Sequence, residues 1–295
     1  MQAYDPSTRS LKKLKTDVKK ALISLSKIGL HKNASIKNLT YHNNLKDALK
    51  DTSFVQENAP EKEKLKTSLL KEIDQLLDKK ILIASSSSGL LPTKIQSKCK
   101  FPNRVLIGHP FNPVYLLPLV EIVKGKKTSQ QSALKLKKIY ESIGMKPLMV
   151  RKEIEGYISD RLQEALWRES LHLIKDGIAS TEEIDDAIVY GPGLRWAFMG
   201  VCLTFHLAGG EEGMKHMLEQ FGPALKLPWT KLKAPELNKK LKGRMISGTK
   251  KQAGKFSIND LEKQRDLFLI EIMKTLNNNH KNMFPNWGKK YNSFK

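Results

Sequence analysis

Between residues 52 and 144 short apolar runs alternate with amphipathic stretches, and this alternation restricts the fold more than any other feature of the chain. "TSFVQENAPE" reads as a short strand running into a turn at Pro60, and "KEKLKTSLLKEIDQLL" repeats apolar residues at helical spacing. "KILIASSSS" is a buried strand ending in small polar residues, "RVLIGHPFNP" has the same form, and "LPLVEIV" is a third apolar run. The spacing predicts another helix in "TSQQSALKLKKIYESIG", with Thr128 and Gln131 placed as a capping box and Gly144 as its stop. An earlier helix is expected over residues 11–30, ending at Gly29. Strands alternating with helices of this length argue for an α/β fold with a parallel sheet. In such sheets ligands sit beyond the carboxyl ends of the strands, where the polar tips at Glu57, Ser85 to Ser88 and His109 fall.

After "PLMVRKEIEGYISDR" the pattern changes and helices dominate. Residues 158–175 form a long helix ending at Gly177, and Ser180 with Glu183 caps the next one. A domain boundary is expected near residue 151, separating an α/β domain (1–150) from an all-α domain (151–295). The tail from Asn277 is polar and loosely patterned.

The formal net charge is +22, which would suit nucleic acid or an anionic membrane. Lysine supplies most of it and is scattered along the chain without aromatic interleaving, so a solvated surface is expected and no nucleic-acid partner. No run approaches the roughly eighteen apolar residues of a membrane span, and "MQAYDPSTRSLKK" has no apolar core of a signal peptide. Cys99 and Cys202 offer neither a disulfide framework nor a metal site, so a cytoplasmic protein without a membrane partner is expected.

"GHPFNPVYLLPLVEIV" places Glu121 inside an apolar run and His109 at the tip of the preceding one. A chain leaving one strand at His109 and entering another by Leu119 brings Glu121 back beside the histidine. A buried carboxylate is costly unless paired, and an imidazole N–H is a suitable partner that fixes the tautomer and leaves the other ring nitrogen facing outward. That would be a general acid/base dyad. Spacing alone leaves open a histidine and a carboxylate that face solvent separately.

The elements His109, Phe111, Asn112, Pro113 and Glu121, with Ser88 upstream and "GYISDRLQEAL" and "DDAIVYGPGLRWAFMG" downstream, resemble the 3-hydroxyacyl-CoA dehydrogenase superfamily over nearly the whole chain. The resemblance implies an NAD-dependent oxidoreductase with a Rossmann-like domain followed by a helical domain, and a homodimer. It implies that His109 is the base, that Glu121 orients it, and that Ser88 and Asn112 bind around the substrate oxygen and the nicotinamide. Asp5 matches the acid that binds the adenosine ribose and selects NAD. Glu57, Asn58, Glu61 and Lys66 match the cofactor-side segment, or are simply the start of a surface helix. The family's acyl-CoA enzymes carry an asparagine where this chain has Asp160, and an aspartate there could contact a cation.

Within the superfamily, "SSSSGLLPTKIQ", "VRKEIEGYISDRLQEALWRE", "GIASTEEIDDAI" and "QFGPALKLPWTKL" are similar to the branch that oxidises L-carnitine to 3-dehydrocarnitine. A quaternary ammonium is held by aromatic faces, and Trp167, Tyr190, Trp196 and Phe198 are concentrated here, although Trp167 and Phe198 also suit a core. A carboxylate is best held by arginine, and Arg151, Arg161, Arg168 and Arg195 lie in the same region. Arg195 and Trp196 are the first candidates. The alternatives are an enzyme acting on (3S)-3-hydroxyacyl-CoA and a scaffold of the same fold impaired in catalysis.

A dinucleotide-binding domain opens with a strand, Gly-x-Gly-x-x-Gly and a helix, and reaches the ribose-binding acid about 20 residues after the glycines. No such motif precedes Asp5. The expectation is therefore a domain lacking its first strand and glycine loop, from a truncated chain or a misassigned start, with weak NAD binding.

Overall fold

The computed structural model describes residues 1–197, 200–209, 213–230, 238–241, 246, 255, 257, 260, 263, 266–272 and 274–275. Strand β1 (Gln2–Tyr4) leads through helix α1 (Thr8–Ser26) to β2 (Thr40–His42), and the two strands pair in parallel as a sheet of their own. A one-turn helix α2 (Leu45–Ala48) follows, then β3 (Phe54–Glu57), α3 (Glu63–Leu76), β4 (Leu82–Ser85), α4 (Pro92–Ile95), β5 (Val105–Pro110), β6 (Leu119–Val123), α5 (Gln130–Ser142) and β7 (Lys146–Val150). These five strands form one sheet in the order β3-β4-β5-β6-β7.

The expected α/β sheet is present, with one departure from parallel pairing. β3, β4 and β5 run parallel, but β6 is antiparallel to β5, and β7 follows β6 in parallel. The cause is the connection: residues 111–118 are too few for the crossover of roughly a dozen residues that a parallel neighbour needs, so the chain turns straight back.

Alternate residues of each strand point to opposite faces, and each face has its own apolar cluster. Ile83, Val105 and Ile107 pack with Leu70 and Ile73 of α3 and Ile95 of α4. Leu82, Ala84 and Leu106 pack with Ala133, Leu136 and Tyr140 of α5. Arg104 fastens α3 to the start of β5. Its Nε and Nη2 donate to Asp74 Oδ1 at 3.0 and 2.7 Å, and its remaining N–H groups reach the carbonyls of Asp74, Leu77, Asp78 and Ile81.

Two local expectations need correction. The first helix spans Thr8–Ser26, not residues 11–30, because Ser7 caps it by accepting the Ser10 N–H. The cap of α5 is Ser129, not Thr128. Thr128 is diverted: its hydroxyl donates to the Val105 carbonyl at 2.8 Å and accepts from Gly125 N and Gln96 Nε2, both at 3.0 Å.

The chain divides into two compact units, Met1–Asp160 with Gln264–Lys295, and Arg161–Lys263. From α6 (Ser159–Lys175) onward the described elements are helical: α7 (Thr181–Val189), α8 (Pro192–Trp196), α9 (Gly200–Ala208) and α10 (Met214–Phe221). The expected capping box of Ser180 and Glu183 opens α7. After α6 the chain turns at Gly177, whose φ of 73° suits glycine. No helix among the described residues is long and apolar enough to cross a membrane.

Candidate active site

His109 is the next-to-last residue of β5, and the antiparallel register sets Glu121 of β6 directly opposite. His109 Nδ1 lies 3.2 Å from Glu121 Oε2. An ionised carboxylate only accepts, so Nδ1 carries a hydrogen, and in the neutral ring Nε2 is the acceptor. Glu121 is fully buried, and its other oxygen accepts the Ile158 and Ser159 N–H groups at 3.0 and 3.1 Å. Those amides open α6, where a helix N-terminus favours negative charge. Burial alone would raise the Glu121 pKa, but the His109 ring and the two backbone N–H groups hold it below its ordinary value.

A second carboxylate faces the other side of the ring. Asp160 Oδ2 stands 3.8 Å from His109 Nε2, and the Asp160 side chain is partly open to solvent. Two aromatic rings frame the imidazole: Phe111 at 5.0 Å between centroids and Tyr157 at 5.7 Å. Of these, sequence reasoning missed Tyr157. Its one local signal is the preceding glycine, since Gly156 and Tyr157 both adopt positive φ.

The serine tip after β4 is held by acids at the end of β3 and in the connection that follows it. Ser85 donates to Glu57 and Ser87 donates to Glu61. Glu61 Oε1 also accepts the N–H groups of Ser88 and Gly89 at 3.1 Å and of Leu90 at 3.4 Å. Burial would raise the Glu61 pKa, but the Ser87 hydroxyl, the Gly89 N–H, Lys66 and the Leu90 N–H lower it. Ser88 itself is exposed.

Lys66 is turned inward. Its ammonium donates to both Glu57 oxygens at 3.0 and 3.2 Å and to the Ala59 carbonyl at 2.8 Å, with Glu61 at 3.6 Å. Glu57 and Lys66 are thus a buried ion pair at the end of β3. Asn58 is exposed and donates to the Gln56 carbonyl at 3.1 Å. Asn112 is exposed on the loop after β5. Asp5 follows β1 and accepts the Ser7 N–H on Oδ1 at 2.7 Å.

In the helical unit, Trp167 is half exposed on α6, Arg195 is exposed at the end of α8, and Trp196 beside it is partly buried. Tyr190 is exposed after α7, and Arg168 is paired with Glu164 at 3.0 Å. Arg151 and Arg161 are exposed. Phe198 lies outside the described residues.

A mostly parallel α/β sheet followed by a helical domain, with a His–Glu pair near the carboxyl end of β5, defines a Rossmann-like NAD-dependent oxidoreductase. The chain belongs to the 3-hydroxyacyl-CoA dehydrogenase family: residues 1–154 match its NAD binding domain and residues 156–248 its C-terminal domain. Among curated relatives, the L-carnitine dehydrogenase of Bacillus cereus is 52% identical over 274 residues, covering 93% of this chain and 84% of that protein. The L-carnitine dehydrogenase of Oceanobacillus iheyensis is 51% identical over 271 residues, covering 92% and 88%. A solved structure of 5-formyl-3-hydroxy-2-methylpyridine 4-carboxylic acid 5-dehydrogenase, an NAD+ dependent dismutase, shares the fold with a TM-score of 0.77 and 24% identity, over 93% of this chain and 90% of that one.

Proposed function

We propose that this protein oxidises L-carnitine to 3-dehydrocarnitine with NAD as the oxidant. The structural observation that carries the reading is Asp160, whose carboxylate stands 3.8 Å from the ring nitrogen that faces the reacting hydroxyl. In carnitine the ammonium nitrogen is separated from the carbinol carbon by one methylene. A hydroxyl seated on Nε2 therefore brings the cation to the neighbourhood of Asp160, where attraction is strong in a partly dry site. The identity of about half the residues to L-carnitine dehydrogenases supports the same reading.

His109 Nε2 takes the hydroxyl proton while the carbinol hydrogen departs as hydride and the C=O bond forms. Glu121 keeps the Nδ1 hydrogen in place and stabilises the imidazolium that results. NAD, when bound, supplies the hydride acceptor. The donor set fits it: Asp5 sits at the carboxyl end of a parallel strand, and among the described residues only its Oδ1 is engaged, so the other oxygen suits ribose hydroxyls. Asn58 follows β3 directly, beside the buried Glu57–Lys66 pair in sequence, and in this reading Asn58, Glu57, Glu61 and Lys66 belong to the cofactor side. Ser88 and Asn112 hydrogen-bond the substrate oxygen and the nicotinamide. Arg195 clamps the substrate carboxylate, and Trp196 and Trp167 offer faces to the trimethylammonium.

Residues 1–150 serve the cofactor in this reading, and residues 151–295 serve the substrate and a homodimer contact. Exposed Ile178, Val189, Tyr190 and Leu194 give the helical unit apolar surface suited to a second copy, which light scattering would test. A cytoplasmic setting is consistent with the free Cys99 and Cys202. The deciding experiment measures NADH formation with L-carnitine against a (3S)-3-hydroxyacyl-CoA. Faster turnover of the thioester would replace the carnitine reading.

A further inference from the structure

We propose that Tyr157 is a positioning residue that ties the loop bearing Ser88 to the imidazole of His109. The inference rests on the reading that His109 is the base and that Ser88 contacts the substrate. It starts from the backbone: Tyr157 has a φ of 46°, immediately after Gly156 at 71°. Glycine adopts that conformation freely, whereas a residue with a Cβ is strained by it. Strain of this kind at a buried position is held by the surrounding contacts and is concentrated at functional sites.

Three sets of contacts account for the phenol. The left-handed turn directs the next two amides, Ile158 and Ser159, onto Glu121 Oε1. The Tyr157 ring, fully buried, meets the His109 ring edge-on at 62°, with Phe111 as the second ring against the imidazole. The hydroxyl donates to the Leu90 carbonyl at 2.7 Å. Leu90 closes the serine tip, and its own N–H goes to Ser87 Oγ at 3.2 Å and Glu61 Oε1 at 3.4 Å.

Glu61 therefore holds the amides of the tip, and Tyr157 holds its last carbonyl. Ser88 lies between these two restraints with its side chain outward. The same phenol limits how the imidazole can turn about its bond to Cβ. The charged groups facing it are Glu61, Glu121 and Asp160, and with burial as the first cause they push the phenol pKa up, so the hydroxyl stays a donor at neutral pH. One side chain thus sets two groups that must meet the same substrate hydroxyl.

The test uses the 295-residue chain with Tyr157→Phe and Tyr157→Leu, read by steady-state kinetics with L-carnitine and by 15N spectra of the His109 ring and of the Ser88 and Gly89 amides. Tyr157→Phe keeps the ring and removes one buried hydrogen bond. It should raise KM roughly fivefold to tenfold with a smaller change in kcat, and displace the Ser88 and Gly89 amides while leaving the His109 ring signals in place. Tyr157→Leu should lower kcat at least tenfold and change the tautomer ratio and titration midpoint of His109. Wild-type KM and amide shifts in Tyr157→Phe, together with wild-type His109 signals in Tyr157→Leu, would overturn the proposal. If Tyr157→Leu does not fold, unchanged KM and amide shifts in Tyr157→Phe overturn it alone. Absence of carnitine turnover in the wild type would sink the functional reading instead, and the 15N comparison would still decide this one.

Discussion

Tyr140 occupies the place that a side chain on residue 108 would need: a Cβ added to Gly108 would lie 1.9 Å from the Tyr140 hydroxyl. That hydroxyl donates to Gln56 Oε1 at 2.5 Å, and Gln56 Nε2 donates to the Gly108 carbonyl at 3.0 Å. The residue just before His109 is thus fixed from α5 and from β3, on the sheet face opposite the imidazole.

Gly108→Ala should displace the Tyr140 ring and cost about 1–3 kcal/mol, the usual range for overpacking a core. Urea unfolding measures it. Combining it with Tyr140→Leu, which makes room, should recover part of the loss. Simple addition of the two costs would show that Tyr140 is not the obstacle.

His109→Ala should lower kcat by roughly 10²–10⁴-fold, the usual worth of a general base, with NAD affinity nearly unchanged. Glu121→Gln should lower it less and move the acid limb of the pH–rate profile, because the imidazolium loses its counter-charge. Wild-type turnover in His109→Ala would remove the base from the mechanism.

Asp160→Asn should raise KM for L-carnitine and leave the KM for its neutral tert-butyl analogue nearly unchanged, since only the charged compound gains from the carboxylate. Trp196→Ala should act in the same direction if its ring faces the ammonium. Equal effects on the two compounds would exclude charge recognition at Asp160.

Glu121 is held below its ordinary pKa of about 4.5 in the folded protein. A depressed carboxylate adds stability that is complete above the unfolded pKa and is lost as pH falls through the lower folded value. The melting-temperature difference between wild type and Glu121→Gln should therefore hold from neutrality down to the ordinary carboxylate value of about 4.5 and shrink as pH falls below it. A difference independent of pH would show that the carboxylate charge contributes nothing to folding.

Asp74→Ala should cost about 3–5 kcal/mol, because it leaves the Arg104 guanidinium buried without its counter-ion. Replacing both residues by apolar groups should recover little of this, because the carbonyls of Asp74, Leu77, Asp78 and Ile81 then lose their donor. Denaturant midpoints of the two variants make the comparison.

Much of the framework is local and legible in the sequence. The apolar runs at 82–84, 105–107 and 119–123 become strands because their neighbours are turns and their lengths suit a sheet. The capping box of Ser180 and Glu183 is readable because a cap involves residues three apart. The approach of Glu121 to His109 follows from the short connection between their strands, and the antiparallel turn-back that it requires was in the same residues, although strand–helix alternation argued for parallel pairing throughout.

The tertiary structure alone decided what depends on distant backbone. Glu57 and Lys66 look like an open surface at a helix start, yet folding closes them into a buried pair because β3 and α3 trap both side chains. Asp160 and Tyr157 reach His109 because a left-handed turn brings a segment nearly fifty residues downstream back onto β5. Periodicity reports which face of an element is apolar, but not which distant polar groups will meet there. Those meetings are set by the requirement that every buried charge and amide find a partner, and that requirement is satisfied only once the whole chain is packed.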